Sequence, residues 1–166
     1  VQVTFFRNGH LLGAALILVD ISFPEFQSIH LLFTGDYNNK NYFFDVDSLP
    51  EEVFELPITI IQESTYGTMD STEICPCFEE NLLANVNKGG TAVVPVFSLG
   101  RSQEILYILK KMQDSGKLDV NVPIYFDGKL ARRYTYLYLN RQLEIREDML
   151  DFLPKNMDFV DGDMRA

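Results

Sequence analysis

Apolar and polar residues alternate at the start of the chain, with Val1, Val3 and Phe5 on one side, which predicts a strand over Val1–Phe6. Apolar runs at Ala14–Ile21, His30–Thr34 and Ile58–Gln62 predict three more strands, the last of them rich in β-branched residues. Between Asn38 and Leu56 the pattern breaks into Asn-Asn, Asp-rich and Pro-Glu-Glu elements, which predict a connection holding a short helical turn.

Past Tyr66 the period changes and helices alternate with strands. A helix is predicted from about Ser71 or Cys75 to Asn87, with Phe78, Leu82, Leu83 and Val86 on one face and Pro76 tolerated in its first turn. Lys88-Gly89-Gly90 stops it. Thr91–Phe97 is a near-continuous apolar run and predicts a parallel strand covered on both faces, with Pro95 marking an edge or a bulge. Arg101 to Met112 predicts a helix with Ile105, Leu109 and Met112 inward and Lys110-Lys111 outward, and Val122–Phe126 predicts the next strand. Lys129–Arg141 fits two periods: Tyr134, Tyr136 and Tyr138 alternate, while Leu130, Tyr134, Leu137 and Arg141 repeat as on a helix. The β-α-β-α order selects the helix. From Gln142 onward the chain is acidic and weakly patterned.

The class is α/β, dividing near Tyr66. With 166 residues, 46% hydrophobic and 23% charged, the chain can bury an ordinary domain core, and it has neither a membrane-spanning apolar run nor a signal-peptide pattern. It begins inside a strand and ends on Asp163-Met164-Arg165-Ala166 without a closing element, which suggests a piece of a larger protein. Cys75 and Cys77 flank Pro76, too close for an ordinary disulfide. Two thiolates could serve a metal, but a four-ligand zinc site needs more Cys or His nearby. Buried thiols in a reducing cytoplasm are the expectation.

The candidate chemistry sits at strand ends. His10 lies in Asn8-Gly9-His10-Leu11-Leu12-Gly13, where flanking glycines let the imidazole be aimed out of a sheet. A lone histidine beside apolar residues is more often a hydrogen-bonded structural group. Asp36 follows a strand in Thr34-Gly35-Asp36 and taken singly reads as a turn residue. Glu63 leaves the Ile58 strand into Ser64-Thr65-Tyr66-Gly67, where a surface ion pair is the bland reading. Three strands in succession, each ending in a ligand or proton carrier beside small residues, are hard to ascribe to coincidence.

Those three segments, followed by Gly89-Gly90 and by Val93-Val94-Pro95-Val96-Phe97-Ser98-Leu99-Gly100-Arg101-Ser102-Gln103-Glu104, resemble successive motifs of the metallo-β-lactamase superfamily in its β-CASP branch. That branch holds RNA-processing nucleases of the RNase J and cleavage-and-polyadenylation type. The resemblance runs from about Val3 to Leu139 in family order. It implies that residues 1–66 are the C-terminal part of a metallo-β-lactamase (αββα) core, carrying the second half of its sheet. Residues 67–166 would then be the first part of a Rossmann-like β-CASP insertion domain with parallel strands and flanking helices.

The activity implied by the resemblance is two-zinc hydrolysis of phosphodiester bonds in RNA. His10 would be a terminal ligand of one zinc and Asp36 a bridge between both, while Glu63 would orient a later catalytic histidine or steady the nucleophilic water. Ser98, Gly100 and Arg101, between a strand and a helix N-terminus, form a candidate RNA-phosphate site; a capped helix with Arg101 in a structural pair fits equally. Lys129, Arg132 and Arg133 either extend it or form a solvated helix face. RNA is the expected ligand, with no membrane, and a homodimer or subunits of an RNA-processing complex are the protein partners the family allows. Two features cut across this. The net charge is −10, where nucleic-acid binders need local positive potential. The family's His-x-His-x-Asp-His motif is absent, and His30, the only other histidine, matches no ligand position. The chain by itself is therefore expected to hold an incomplete zinc site and to be inactive. A non-catalytic scaffold subunit, or a metallohydrolase of small substrates, are the competing readings; retention of His10, Asp36 and Glu63 disfavours the first, and the Gly89–Glu104 block the second.

Overall fold

The computed structural model describes residues 1–65, 67, 77–140 and 145–160. It is mixed α/β, with antiparallel and parallel strands in two compact units, Val1–Gly67 and Thr68–Ala166.

In the first unit, strands β1 (Gln2–Arg7), β2 (Ala15–Ile21), β3 (Ile29–Phe33) and β4 (Ile58–Ile61) form a four-stranded sheet in sequence order. The pairs β1–β2 and β2–β3 are antiparallel, in registers Phe5↔Ile17 and Val19↔Leu31, and β3–β4 is parallel with Leu32↔Ile60. A short helix α1 (Glu51–Phe54) lies in the predicted connection, and Val53 from it joins Leu16, Leu18 and Leu32 in the core, with Phe6, Leu49 and Ile58 packed around them. Side chains alternate across a strand, so the register puts Val3, Phe5, Ile17, Val19, Leu31, Phe33 and Ile61 on the opposite face. That face is also apolar yet open, with Phe5 65% exposed. His30 is a strand residue, its Nδ1 2.6 Å from Asp20 Oδ1 across the β2–β3 pair.

The second unit holds α2 (Phe78–Val86), α3 (Arg101–Asp114), β5 (Ile124–Asp127), α4 (Lys129–Leu139), a single 3-10 turn (Glu147–Met149) and β6 (Met157–Val160). β5 and β6 pair in parallel, Phe126↔Phe159, and those two rings meet edge to face at 5.7 Å. Leu106, Met112, Leu118, Ala131, Tyr138, Met149 and Phe152 are buried.

Several expectations need correction here. Thr91–Phe97 is not a strand: it pairs with no other segment among the described residues, and Val93 and Phe97 are 86% and 83% exposed. An apolar run becomes a strand only when a neighbour takes up its backbone groups, and Pro95 removes one donor in advance. On α3 the buried apolar residues are Leu106 and Met112, whereas Ile105 and Leu109 are half-buried. Lys110 does not point freely outward but lies against Asp114 at 2.6 Å, which holds its ammonium pKa above the usual value. The weakly patterned tail contributes β6, which four residues of sequence could not announce. The predicted start of the first helix and Cys75 and Pro76 lie outside the described residues; Cys77 is half-buried just before α2.

Candidate functional site

Strand direction decides where the candidate groups meet. β2 runs against both β1 and β3, and β4 runs with β3, so β1, β3 and β4 all end on the same edge of the sheet. Those ends carry His10, Asp36 and Glu63. His10 Nε2 lies 3.7 Å from Asp36 Oδ2, with the two side chains 40% and 71% exposed. The Glu63 carboxylate accepts the Thr65 N–H at 2.7 Å. Its pKa is held below the ordinary carboxylate value, chiefly by the Thr65 backbone N–H and hydroxyl, with smaller electrostatic contributions from the Tyr37 N–H and the His10 ring and with partial desolvation opposing. Glu63 leaves the same edge of the sheet as the other two groups.

The backbone beneath them is tied tightly. Asn8 is 1% exposed; its Oδ1 accepts the His10 N–H at 2.8 Å, and its Nδ2 donates to the Thr34 and Asp36 carbonyls, both at 3.3 Å. Gly9 N–H donates to the Asn38 carbonyl at 2.7 Å, and Asn41 Nδ2 donates to the Gly9 carbonyl at 3.0 Å. Gly9 is required by close approach, since a Cβ there would stand 2.4 Å from the Lys40 carbonyl oxygen. Thr34 bridges to the third strand end: its N–H donates to the Ile61 carbonyl and its Oγ1 accepts the Glu63 N–H. Asn8, Thr34 and Asn41 carry no mark in the sequence, because their partners lie far along the chain.

Imidazole nitrogen and carboxylate oxygen are zinc donors. Tetrahedral binding at about 2.0–2.2 Å separates two donors by roughly 3.3–3.6 Å, close to the observed gap. His10 and Asp36 thus fit as part of a zinc site. Among the described residues no cluster of three or more His, Cys, Asp or Glu surrounds a single point.

The second candidate, Ser98 to Arg101, lies in the turn entering α3 and is stitched from inside. The fully buried Gln103 accepts the Gly100 N–H at 2.7 Å and donates to the Ser98 carbonyl at 3.3 Å and Thr135 Oγ1 at 2.9 Å. Thr135 in turn donates to the Ala131 carbonyl. Gly100, at φ 79°, sits in the left-handed region. Arg101 pairs with Glu104 at 2.6 Å while remaining 68% exposed. The Gly100 amide, the Arg101 amide (bonded to the Leu99 carbonyl) and one face of the Arg101 side chain are thus engaged within the protein, leaving the outer guanidinium edge for an anion. On α4, Lys129 and Arg133 are exposed and Arg132 is half-buried.

No helix among the described residues is long and apolar enough to cross a membrane. No family model matches the chain. Individual proteins do. Endoribonuclease ysh1 of Aspergillus fumigatus is 33% identical over 144 residues, covering 83% of this chain and 16% of that protein. An RNase J-like protein of Methanocaldococcus jannaschii is 34% identical over 147 residues, 84% of this chain and 32% of the relative. Cleavage and polyadenylation specificity factor subunit 3 of Dictyostelium discoideum is 32% identical over 143 residues, 83% of this chain and 17% of the relative. The chain therefore spans between about a sixth and a third of the length of these relatives. Named endoribonucleases, an RNase J-like protein and a cleavage-factor subunit, all aligned over most of its length, place the chain in the β-CASP branch of the metallo-β-lactamase superfamily.

Proposed function

We propose that this chain supplies part of the centre of a zinc-dependent RNA-processing nuclease. Its first unit would be the second half of the metallo-β-lactamase sheet, and its second unit the start of the β-CASP domain. The observation that carries the reading is the meeting of His10 and Asp36, 3.7 Å apart at the sheet edge from which Glu63 also leaves. His10 would give an imidazole nitrogen, and Asp36 its carboxylate, to hold zinc. Bound zinc would supply an activated water and neutralise charge developing on the phosphoryl oxygens. Glu63, kept ionised by Thr65, would accept a hydrogen bond from that water or from a protonated imidazole completing the site. The outer edge of Arg101 would hold an RNA phosphate, a local positive group on an acidic chain.

The test is cleavage of a labelled RNA, with and without a chelator, by the full-length gene product. Asp36→Ala and His10→Ala should each lower the rate more than about 100-fold, beyond the usual effect of residues that only support ligands. Chelation should abolish cleavage. Full activity in Asp36→Ala, or activity indifferent to chelation, would rule the reading out. An inactive full-length protein with zinc absent would favour a scaffold subunit.

A further inference from the structure

We infer that Asn8, which touches no reacting group, is the positioning residue that sets the spacing of His10 and Asp36. This rests on the reading of those two side chains as zinc ligands. Asn8 is the first residue after β1, buried beneath the exposed pair, and its amide joins two loops that are otherwise distant in sequence. One end accepts the His10 N–H at 2.8 Å; the other donates one proton to each of the Thr34 and Asp36 carbonyls at 3.3 Å. Its own N–H donates to the Ala14 carbonyl at 3.1 Å, closing the loop that bears His10. The amide orientation follows from chemistry, because the flipped form would set its oxygen against two carbonyls and its NH2 against an N–H.

The demand on this position selects its residue. The side chain must reach an amide two residues on, as an Asx turn does, and must simultaneously offer two protons to another loop. Aspartate and serine can accept the His10 N–H but cannot serve both carbonyls. Glutamine has the groups on a stem one carbon too long. A ligand pair needs its geometry held to within about 0.5 Å, and ligand-supporting contacts of this kind are worth about 10–100-fold in metal affinity. Asn8 is the contact that touches the backbone of both ligand residues at once.

The experiment titrates Zn²⁺ and Co²⁺ into the full-length gene product that contains this chain, following the His10 ring by NMR. Asn8→Ala should weaken binding at least about tenfold while the backbone signals of β1–β4 persist. Asn8→Ser, whose hydroxyl still accepts the His10 N–H but reaches neither carbonyl, should bind as poorly as Asn8→Ala and serves as the variant if the alanine form unfolds. In the unaltered chain the Asn8 side-chain NH2 should exchange with solvent at least about 100-fold more slowly than that of exposed Asn39. Metal affinity equal to the unaltered chain in a folded Asn8→Ala or Asn8→Ser variant, or fast exchange at Asn8, overturns the role assigned to Asn8 while leaving the ligands in place. Failure of the unaltered full-length gene product to bind either metal at His10 overturns the ligand reading and this inference together.

Discussion

The sheet edge under His10 and the turn entering α3 solve one problem in opposite ways. At both corners a buried amide side chain stitches the loop: Asn8 at the first, Gln103 at the second. Beneath the sheet edge the stitching uses backbone groups almost entirely, so the imidazole of His10 and the carboxylate of Asp36 stay exposed and close together. At the α3 turn it consumes groups that sequence reasoning reserved for a ligand, since Gly100 gives its N–H to Gln103 and Arg101 leans on Glu104. The first corner is built to present side chains, the second to hold a helix start in place. The contrast explains why the first supports the functional reading more strongly.

The comparison breaks most easily at Gly9. Gly9→Ala would drive a methyl group into the Lys40 carbonyl, and should destabilise the first unit by on the order of 3 kcal/mol in denaturant unfolding while leaving the second unit's transition in place. Gln103→Ala should cost the second unit about 2 kcal/mol, because the buried Gly100 N–H is left unmatched; Arg101→Ala, which removes an exposed ion pair, should stay within about 0.5 kcal/mol. An Arg101→Ala loss as large as that of Gln103→Ala would erase the distinction drawn between stitching and presented groups. The smallest effect belongs to Glu63. Its carboxyl titrates lower in the folded chain than the ordinary value of 4.5, so it stabilises the fold above that pH, and the contribution disappears as acid carries the pH down through the folded-state value. Glu63→Gln should make the loss of stability between pH 5 and pH 3 slightly shallower, measurable as a reduced shift in urea midpoint.

How much of this was legible in the sequence depends on the range over which each feature is determined. The four strands of the first unit were readable to within a residue or two, because alternation and β-branching are local signals and the core they form is continuous. The joint edge for His10, Asp36 and Glu63 was readable as three similar strand ends, though direction came only with the pairing. Three features were not. Apart from Pro95, Thr91–Phe97 has the local marks of a strand, yet it lacks a partner among the described residues, and partnership is not a property of a segment. β6 is the converse, four ordinary residues made a strand by β5. Asn8 is unmarked in the sequence; its burial and its hold on Thr34 and Asp36 arise only when loops separated by a whole hairpin are folded together.

The exposed run Val93-Val94-Pro95-Val96-Phe97 has one further consequence. Stripped of its proline it would be a flat, uncharged, β-branched stretch, the composition that stacks between molecules into fibrils. The ring of Pro95 interrupts any such ladder from within, so the residue that spoils the run as a strand also disfavours its stacking against other copies.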